Sequence, residues 1–271
     1  MECKVKKGSV FYEVCGEGLP LLVLHAMGTD HLSMKTWMEP IFQKESDFQR
    51  IYIDVPAHGK SMIDSSVNSS SDMLENLLEF IDSTFPNQKF ALLGMSFGGG
   101  YLAQGIMHAK LKQVKGIALM APPIHGTERN VPQKVVIHKD EAALMKVDED
   151  IRVAFETLLV YQTADNLRIF MEEIHPGRLL ANREFLGSNW REDRYLLKDE
   201  PFLEIDSMEQ PSLFILGRQD SICGFKDVWK LLDKFPNATY SVLDQAGHLL
   251  QIEQRELVKD LIGNWLKRIQ D

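Results

Sequence analysis

The stretch FALLGMSFGGGYLAQGIM, residues 90–107, begins as a continuous apolar run, passes through a serine set among glycines, and ends in a helical pattern. The run before Ser96 is short and apolar on every position, as in a strand buried on both faces. The segment after it repeats its apolar residues at helical spacing. Ser96 therefore sits on a sharp strand-to-helix turn. The pentapeptide Gly94-Met95-Ser96-Phe97-Gly98 fits G-x-S-x-G, and the glycines supply room, because side chains two residues from such a strained serine would collide.

Working outward, further β-like runs recur: SVFYEV (9–14), LPLLVLHA (19–26), QRIYIDV (49–55), VKGIALM (114–120), PSLFILG (211–217) and ATYSVL (238–243). Helical patterns separate most of them. In SDMLENLLEFIDSTF (71–85), Met73, Leu74, Leu77, Leu78 and Ile81 share one face. FKDVWKLLDKF (225–235) and ELVKDLIGNWLKRI (256–269) read the same way. The serine-rich patch at 65–72 reads as a loop ending in a helix cap. Strands alternating with helices imply a mostly parallel sheet of about eight strands with helices on both faces. The alternation breaks between Ile124 and Ser207, where DEAALMKV, DIRVAFETLLVYQ and ADNLRIFMEEI read as helices with no convincing strand. The expected organisation is a core of residues 1–123 and 208–271 with a helical cap, 124–207, inserted between the sixth and seventh strands.

A serine hydroxyl is a poor nucleophile until a histidine takes its proton, and that imidazole needs an orienting carboxylate. In open α/β sheets such groups gather at the carboxyl ends of strands. His248, in DQAGHLLQ, follows the run 238–243; Asp220, in LGRQDS, follows the run 211–217. Asp244 is the nearest rival to Asp220, but it would approach the histidine from its own loop. His25 and His58, among small residues, read as structural ties between loops. His125 and His175 read as core or solvent-facing histidines. Glu253 reads as a carboxylate satisfying amides near a helix start, and Cys223 as a small buried apolar residue.

The chain has 271 residues, 44% hydrophobic and 25% charged, the profile of a globular protein. Its formal net charge of −9 argues against nucleic acid as a partner, since phosphate binding needs a basic patch. Cys3, Cys15 and Cys223 are widely spaced and read as reduced thiols of a cytoplasmic protein. No secretory signal or membrane span is expected. No cluster has metal-ligand spacing, and no nucleotide fingerprint stands apart from the Ser96 turn, so neither metal nor organic cofactor is expected.

With these motifs assembled, the sequence resembles the α/β-hydrolase superfamily along nearly its whole length. LHAMGTD (24–30) looks like the family's His-Gly oxyanion loop, with Ala26 where glycine is usual. DVPAHGKS (54–61) looks like its Asp-x-Pro-Gly-His-Gly-x-Ser turn, with Ala57 replacing a glycine. GMSFGG looks like the nucleophile elbow, and the helical insertion falls where the family carries its cap. The resemblance implies Ser96 as nucleophile, Asp220 as acid, His248 as base, and the backbone amides of Met27 and Phe97 as the oxyanion hole. It implies a small-molecule acyl substrate, cleaved as a carboxylic ester through an acyl-enzyme. Carbon–carbon bond hydrolysis, perhydrolysis and acyl transfer would use the same residues; a ligand-binding protein with this fold and no turnover is the alternative of another class. The insertion's aromatic residues, Phe155, Tyr161, Phe170, Phe185, Trp190 and Tyr195, include both packing and cleft positions. Met27, Met95 and Trp190 are the expected pocket residues, favouring a small or medium apolar acyl group.

Overall fold

The computed structural model describes residues 1–42, 47–124 and 129–270. The apolar runs fold as strands β1 (Glu2–Val5), β2 (Gly8–Cys15), β3 (Leu19–Leu24), β4 (Phe48–Ile53), β5 (Met62–Ile63), β6 (Phe90–Met95), β7 (Val114–Met120), β8 (His138–Lys139), β9 (Tyr161–Gln162), β10 (Ser212–Gly217) and β11 (Ala238–Leu243). The main sheet has the order β1-β2-β4-β3-β6-β7-β10-β11, with β5 paired to β2. Every pairing from β4 to β11 along that path is parallel, and those of β1, β2 and β5 are antiparallel. β3 and β6 are apolar throughout because helices cover both their faces.

Two apolar layers result. On one side, Phe90 and Leu92 of β6 pack with Met73, Leu77, Phe80 and Ile81 of the helix Ser70–Thr84. On the other, Ala91, Leu93 and Met95 pack with Trp37 and with Val258, Ile262 and Trp265 of the helix Arg255–Gln270. The Ser70–Thr84 helix starts where its sequence predicts. The Ser69 hydroxyl accepts the Asp72 N–H at 3.1 Å, a cap contributing about 1 kcal/mol. Residues 225–235, expected as an ordinary α-helix, form a tighter 3-10 helix over Asp227–Lys234. Its buried residues, Val228 and Leu231, stand three apart, the repeat that winding favours.

Between β7 and β10 the chain is mainly helical, with helices Glu141–Leu144, Glu149–Leu158, Ala164–Ile169, His175–Leu180, Arg183–Leu186, Trp190–Asp193 and Pro201–Glu204. A wide π turn, Phe170–Ile174, joins the third to the fourth. The expectation of no strand here is corrected by β8 and β9, which pair in parallel over two residues each. Such a short pair leaves no alternating pattern to read. The segment is tied at several points to the loops and helices around the sheet. Asn182 N–H donates to the Ala57 carbonyl at 3.0 Å, the Ser70 hydroxyl donates to the Tyr195 carbonyl at 2.6 Å, and Arg255 grips Glu173 through two bonds of 2.8 and 2.6 Å.

Candidate active site

β6 ends at Met95, and Ser96 takes φ +50°, a left-handed conformation costing about 1–2 kcal/mol for a residue with a Cβ. The turn is possible because its flanks are glycine. A Cβ on Gly94 would lie 2.6 Å from Gly99 Cα, and one on Gly98 would lie 2.4 Å from the His25 carbonyl oxygen. The turn lifts Ser96 off the end of the sheet.

Asp220 and His248 reach the same place from the ends of neighbouring strands, β10 and β11. His248 Nε2 lies 2.8 Å from Ser96 Oγ, and its Nδ1 lies 2.9 Å from Asp220 Oδ2. Relative exposures are 8% for Ser96, 5% for His248 and 0% for Asp220, so the three groups meet largely out of water. The other Asp220 oxygen accepts the N–H groups of Ile222 at 2.8 Å and Cys223 at 3.1 Å. When Nδ1 donates to Asp220, Nε2 is the ring nitrogen left to accept from the Ser96 hydroxyl. Burial pushes the His248 pKa down, but Asp220 and Cys223 together outweigh it and leave the imidazole well above its ordinary value. Asp244 stands apart, exposed and accepting from Gln219 at 2.7 Å.

The loop after β3 borders the site and is held from beneath. His25 Nδ1 lies 2.7 Å from the Ala26 carbonyl, and its Nε2 accepts the Val55 N–H at 3.1 Å. Asp54 accepts the His31 N–H and ring Nδ1, both at 2.8 Å, and the Lys60 N–H at 2.8 Å. His58 Nδ1 meets the Pro56 carbonyl at 2.9 Å. His25 and His58 are thus buried loop ties, as the sequence predicts. Ala57 keeps φ +68°, the left-handed conformation a glycine would favour. His175 is half-buried; His125 lies outside the described residues.

Above Ser96 opens a cavity of about 630 Å³, bordered by Met27, Phe97, Tyr195, Cys223 and His248. Two expected pocket residues are elsewhere. Met95 is buried in the layer that holds Leu93 and Met120, because alternation along β6 points it away from the cavity. Trp190 is buried against Phe97 (5.9 Å between ring centroids) and Phe185 (5.2 Å), and borders a separate cavity of about 500 Å³. Of the six aromatic residues named above, Tyr195 alone borders the larger cavity; Phe155 and Phe170 pack on each other at 5.5 Å. Apolar side chains such as Met27, Phe97, Leu158 and Ile174 line much of the cavity, and it carries an unexpected charge: Arg129, Arg178, Arg183 and Arg191 all border it, and no Asp or Glu does among the described residues. Their separation in sequence hid this grouping.

Cys223 is buried, as expected, but it also borders the cavity beside His248. Asp220, Cys223 and His248 bring candidate ligand atoms within 4.8 Å of one another. Both His248 nitrogens and both Asp220 oxygens already have partners, so a cation there would have to break the Ser96–His248–Asp220 chain.

Glu253 has a larger part than its sequence position suggests. Its Oε1 accepts the Val160 N–H at 2.7 Å and the Tyr161 N–H at 2.9 Å; its Oε2 accepts the Gly247 N–H at 2.6 Å. One carboxyl thereby joins the insertion to the loop carrying His248, whose own N–H donates to the Leu158 carbonyl at 2.9 Å. Burial raises the Glu253 pKa to about 7 against those three donors.

Comparison with known proteins agrees with this architecture. A sequence model of the Alpha/beta hydrolase family matches residues 21–261. The 2-hydroxy-6-oxo-6-(2'-aminophenyl)hexa-2,4-dienoic acid hydrolase of Metapseudomonas resinovorans is 23% identical over 268 residues, spanning 96% of this chain and 88% of that protein. The pimeloyl-[acyl-carrier protein] methyl ester esterase of Legionella pneumophila (strain Paris) is 20% identical over 256 residues, spanning 93% and 97%. The crystal structure of an alpha/beta superfamily hydrolase from Oenococcus oeni PSU-1 superposes over 100% of both chains with a TM-score of 0.88 and 26% identity. Among the described residues no helix is long and apolar enough to cross a membrane.

Proposed function

The chain belongs to the Alpha/beta hydrolase family, and on that footing we propose that it is a serine hydrolase cleaving a carboxylic ester or related acyl bond. The observation that carries this reading is the unbroken chain from Ser96 through His248 to Asp220, at 2.8 and 2.9 Å, with Ser96 and His248 bordering a cavity. Ser96 Oγ attacks the substrate carbonyl as His248 Nε2 takes its proton. Negative charge moves onto the carbonyl oxygen and is held by the amides of Met27 and Phe97, each contributing roughly 3–4 kcal/mol to the barrier reduction. Asp220 stabilises the imidazolium without being protonated. His248 then protonates the leaving oxygen, the carbon–oxygen bond breaks, and an acyl-enzyme forms on Ser96. Water, deprotonated by His248, repeats the attack and releases the acid. Residues 124–207 act as a cap that selects what enters, over a core made of 1–123 and 208–271.

Carbon–carbon bond hydrolysis is the second reading, favoured by the similarity to the hexa-2,4-dienoic acid hydrolase; it uses the same three residues on a carbon leaving group. The test is steady-state hydrolysis of p-nitrophenyl esters by wild type, Ser96→Ala, His248→Ala and the double variant. Residues acting as one unit should each cost about 10⁴-fold or more in kcat, and the double variant should lose little beyond either single. Additive losses, or a Ser96→Ala protein within tenfold of wild type, would overturn the reading.

A further inference from the structure

The charge of the cavity differs in sign from that of the chain. The protein carries a formal net charge of −9, yet the charged residues bordering the cavity above Ser96 are four arginines. Burying a guanidinium without a counter-charge is costly, and two of the four are at least half-buried in this way. Among the described residues Arg129 is held by neutral groups only: Nη1 donates to the Ile222 carbonyl at 3.2 Å, and Nη2 to the hydroxyls of Tyr101 at 3.3 Å and Tyr195 at 3.2 Å. Those bonds fix its plane and leave further N–H groups unspent. Arg178 stands over the Phe170 ring at 5.8 Å, with a fully buried Nη1 that has no hydrogen-bond partner among the described residues. Neither has a carboxylate within ion-pair distance among the described residues, unlike Arg50 and Arg255 of the same chain. Arg183 donates to the Arg178 carbonyl at 2.9 Å, and Arg191 lies against Met27 Sδ. The insertion thus brings further positive charge toward one already held beside the Asp220 loop.

We propose that the cavity takes an acyl substrate carrying its own anionic group, a carboxylate in the simplest case, which Arg129 and Arg178 bind while Ser96 attacks the carbonyl at the other end. The inference deepens the hydrolase reading and rests on it. Guanidinium groups suit this task because their planar fork meets both oxygens of a carboxylate. Low-dielectric walls around charges of one sign focus their field inside the cavity. The anionic end anchors the substrate and sets its register against Ser96, so the benefit appears in kcat/KM.

The test pairs two acyl groups of equal length, mono-p-nitrophenyl glutarate and p-nitrophenyl pentanoate. The readout is the ratio of their kcat/KM values, which cancels effects common to both esters. Wild type should prefer the anionic ester by about tenfold or more, and the ratio should fall as salt rises. Arg129→Gln with Arg178→Gln should lower the ratio about ten- to a hundredfold, while Arg129→Lys, which keeps the charge but loses the fork, should retain part of it. A wild-type ratio at or below one, or a ratio unchanged in the double variant, would overturn the proposal. If neither ester is turned over, the hydrolase reading fails and the anion site is read alone, by the thermal shift glutarate gives Ser96→Ala protein. A shift lost in Arg129→Gln/Arg178→Gln protein supports the anion site, and no shift overturns it.

Discussion

Glu253→Ala removes at one stroke the acceptor for the N–H groups of Val160, Tyr161 and Gly247, bonded at 2.7, 2.9 and 2.6 Å. A buried donor left without a partner costs about 1–3 kcal/mol, so three give a ceiling near 9 kcal/mol. Water entering the vacated space recovers part of that, which sets the expectation at about 3–5 kcal/mol. For a chain of this size 1 kcal/mol corresponds to about 2–4 °C, so Tm should fall by roughly 6–20 °C. Glu253→Gln separates the hydrogen bonds from the titration. Its carbonyl can still serve Val160 and Tyr161, and only the bond to Gly247 is lost. The sign of the pH effect follows from the raised pKa. Burial lifts Glu253 from its ordinary 4.5 to about 7, so the folded state favours the protonated carboxyl. Its contribution is full below pH 4.5 and is lost as pH climbs through 7, a swing of about 3 kcal/mol. Thermal melts of wild type and Glu253→Gln at pH 5 and pH 8 measure this directly. Wild type should lose more stability than the variant over that range, and Glu253→Ala should also lose activity as the His248 loop loosens. A Glu253→Ala protein melting within 1 °C of wild type, or parallel pH dependence of wild type and Glu253→Gln, would refute the reasoning.

Other outcomes follow from the same geometry. Because His248 must be neutral to accept the Ser96 proton and Asp220 raises its pKa, kcat/KM should increase with pH through a midpoint above 6.5; a flat profile between pH 5 and 8 would count against the assignment. Asp220→Asn removes the charge that holds the tautomer and should cut kcat by about 10³–10⁴, measured on p-nitrophenyl esters. Trp190→Ala, in a buried aromatic cluster, should destabilise the fold by about 3–5 kcal/mol in urea titration, consistent with a packing position. Gly98→Ala would drive a Cβ to 2.4 Å from the His25 carbonyl and should reduce activity more than tenfold in soluble protein, since the main chain at Ser96 must shift.

The sheet could be read from sequence because burial on two faces leaves a signature that survives out of context. LPLLVL and FALLGM are apolar at every position, and both are central strands. The Ser96 turn was legible for a steric reason, since few residues fit beside it. Asp220 and His248 were legible because parallel sheets collect function at one strand end. Other features depend on contacts no local pattern encodes. Glu253 looks like an ordinary first-turn carboxylate, but the amides it satisfies lie on the insertion and the preceding loop. Arg129, Arg178, Arg183 and Arg191 share no local pattern, and it is the folded insertion that gathers them around one cavity. Met95 could have been assigned correctly from alternation along β6, which sets it on the face of Ala91 and Leu93.

The nucleophilic role of Ser96 is the claim on which the rest depends, and covalent trapping tests it without a natural substrate. Wild-type protein exposed to a fluorophosphonate probe should gain one adduct, mapped by peptide mass spectrometry to Ser96. Ser96→Ala should gain none, and His248→Ala should label far more slowly because the hydroxyl loses its base. An adduct on another residue, or equal labelling of wild type and Ser96→Ala, would contradict the account.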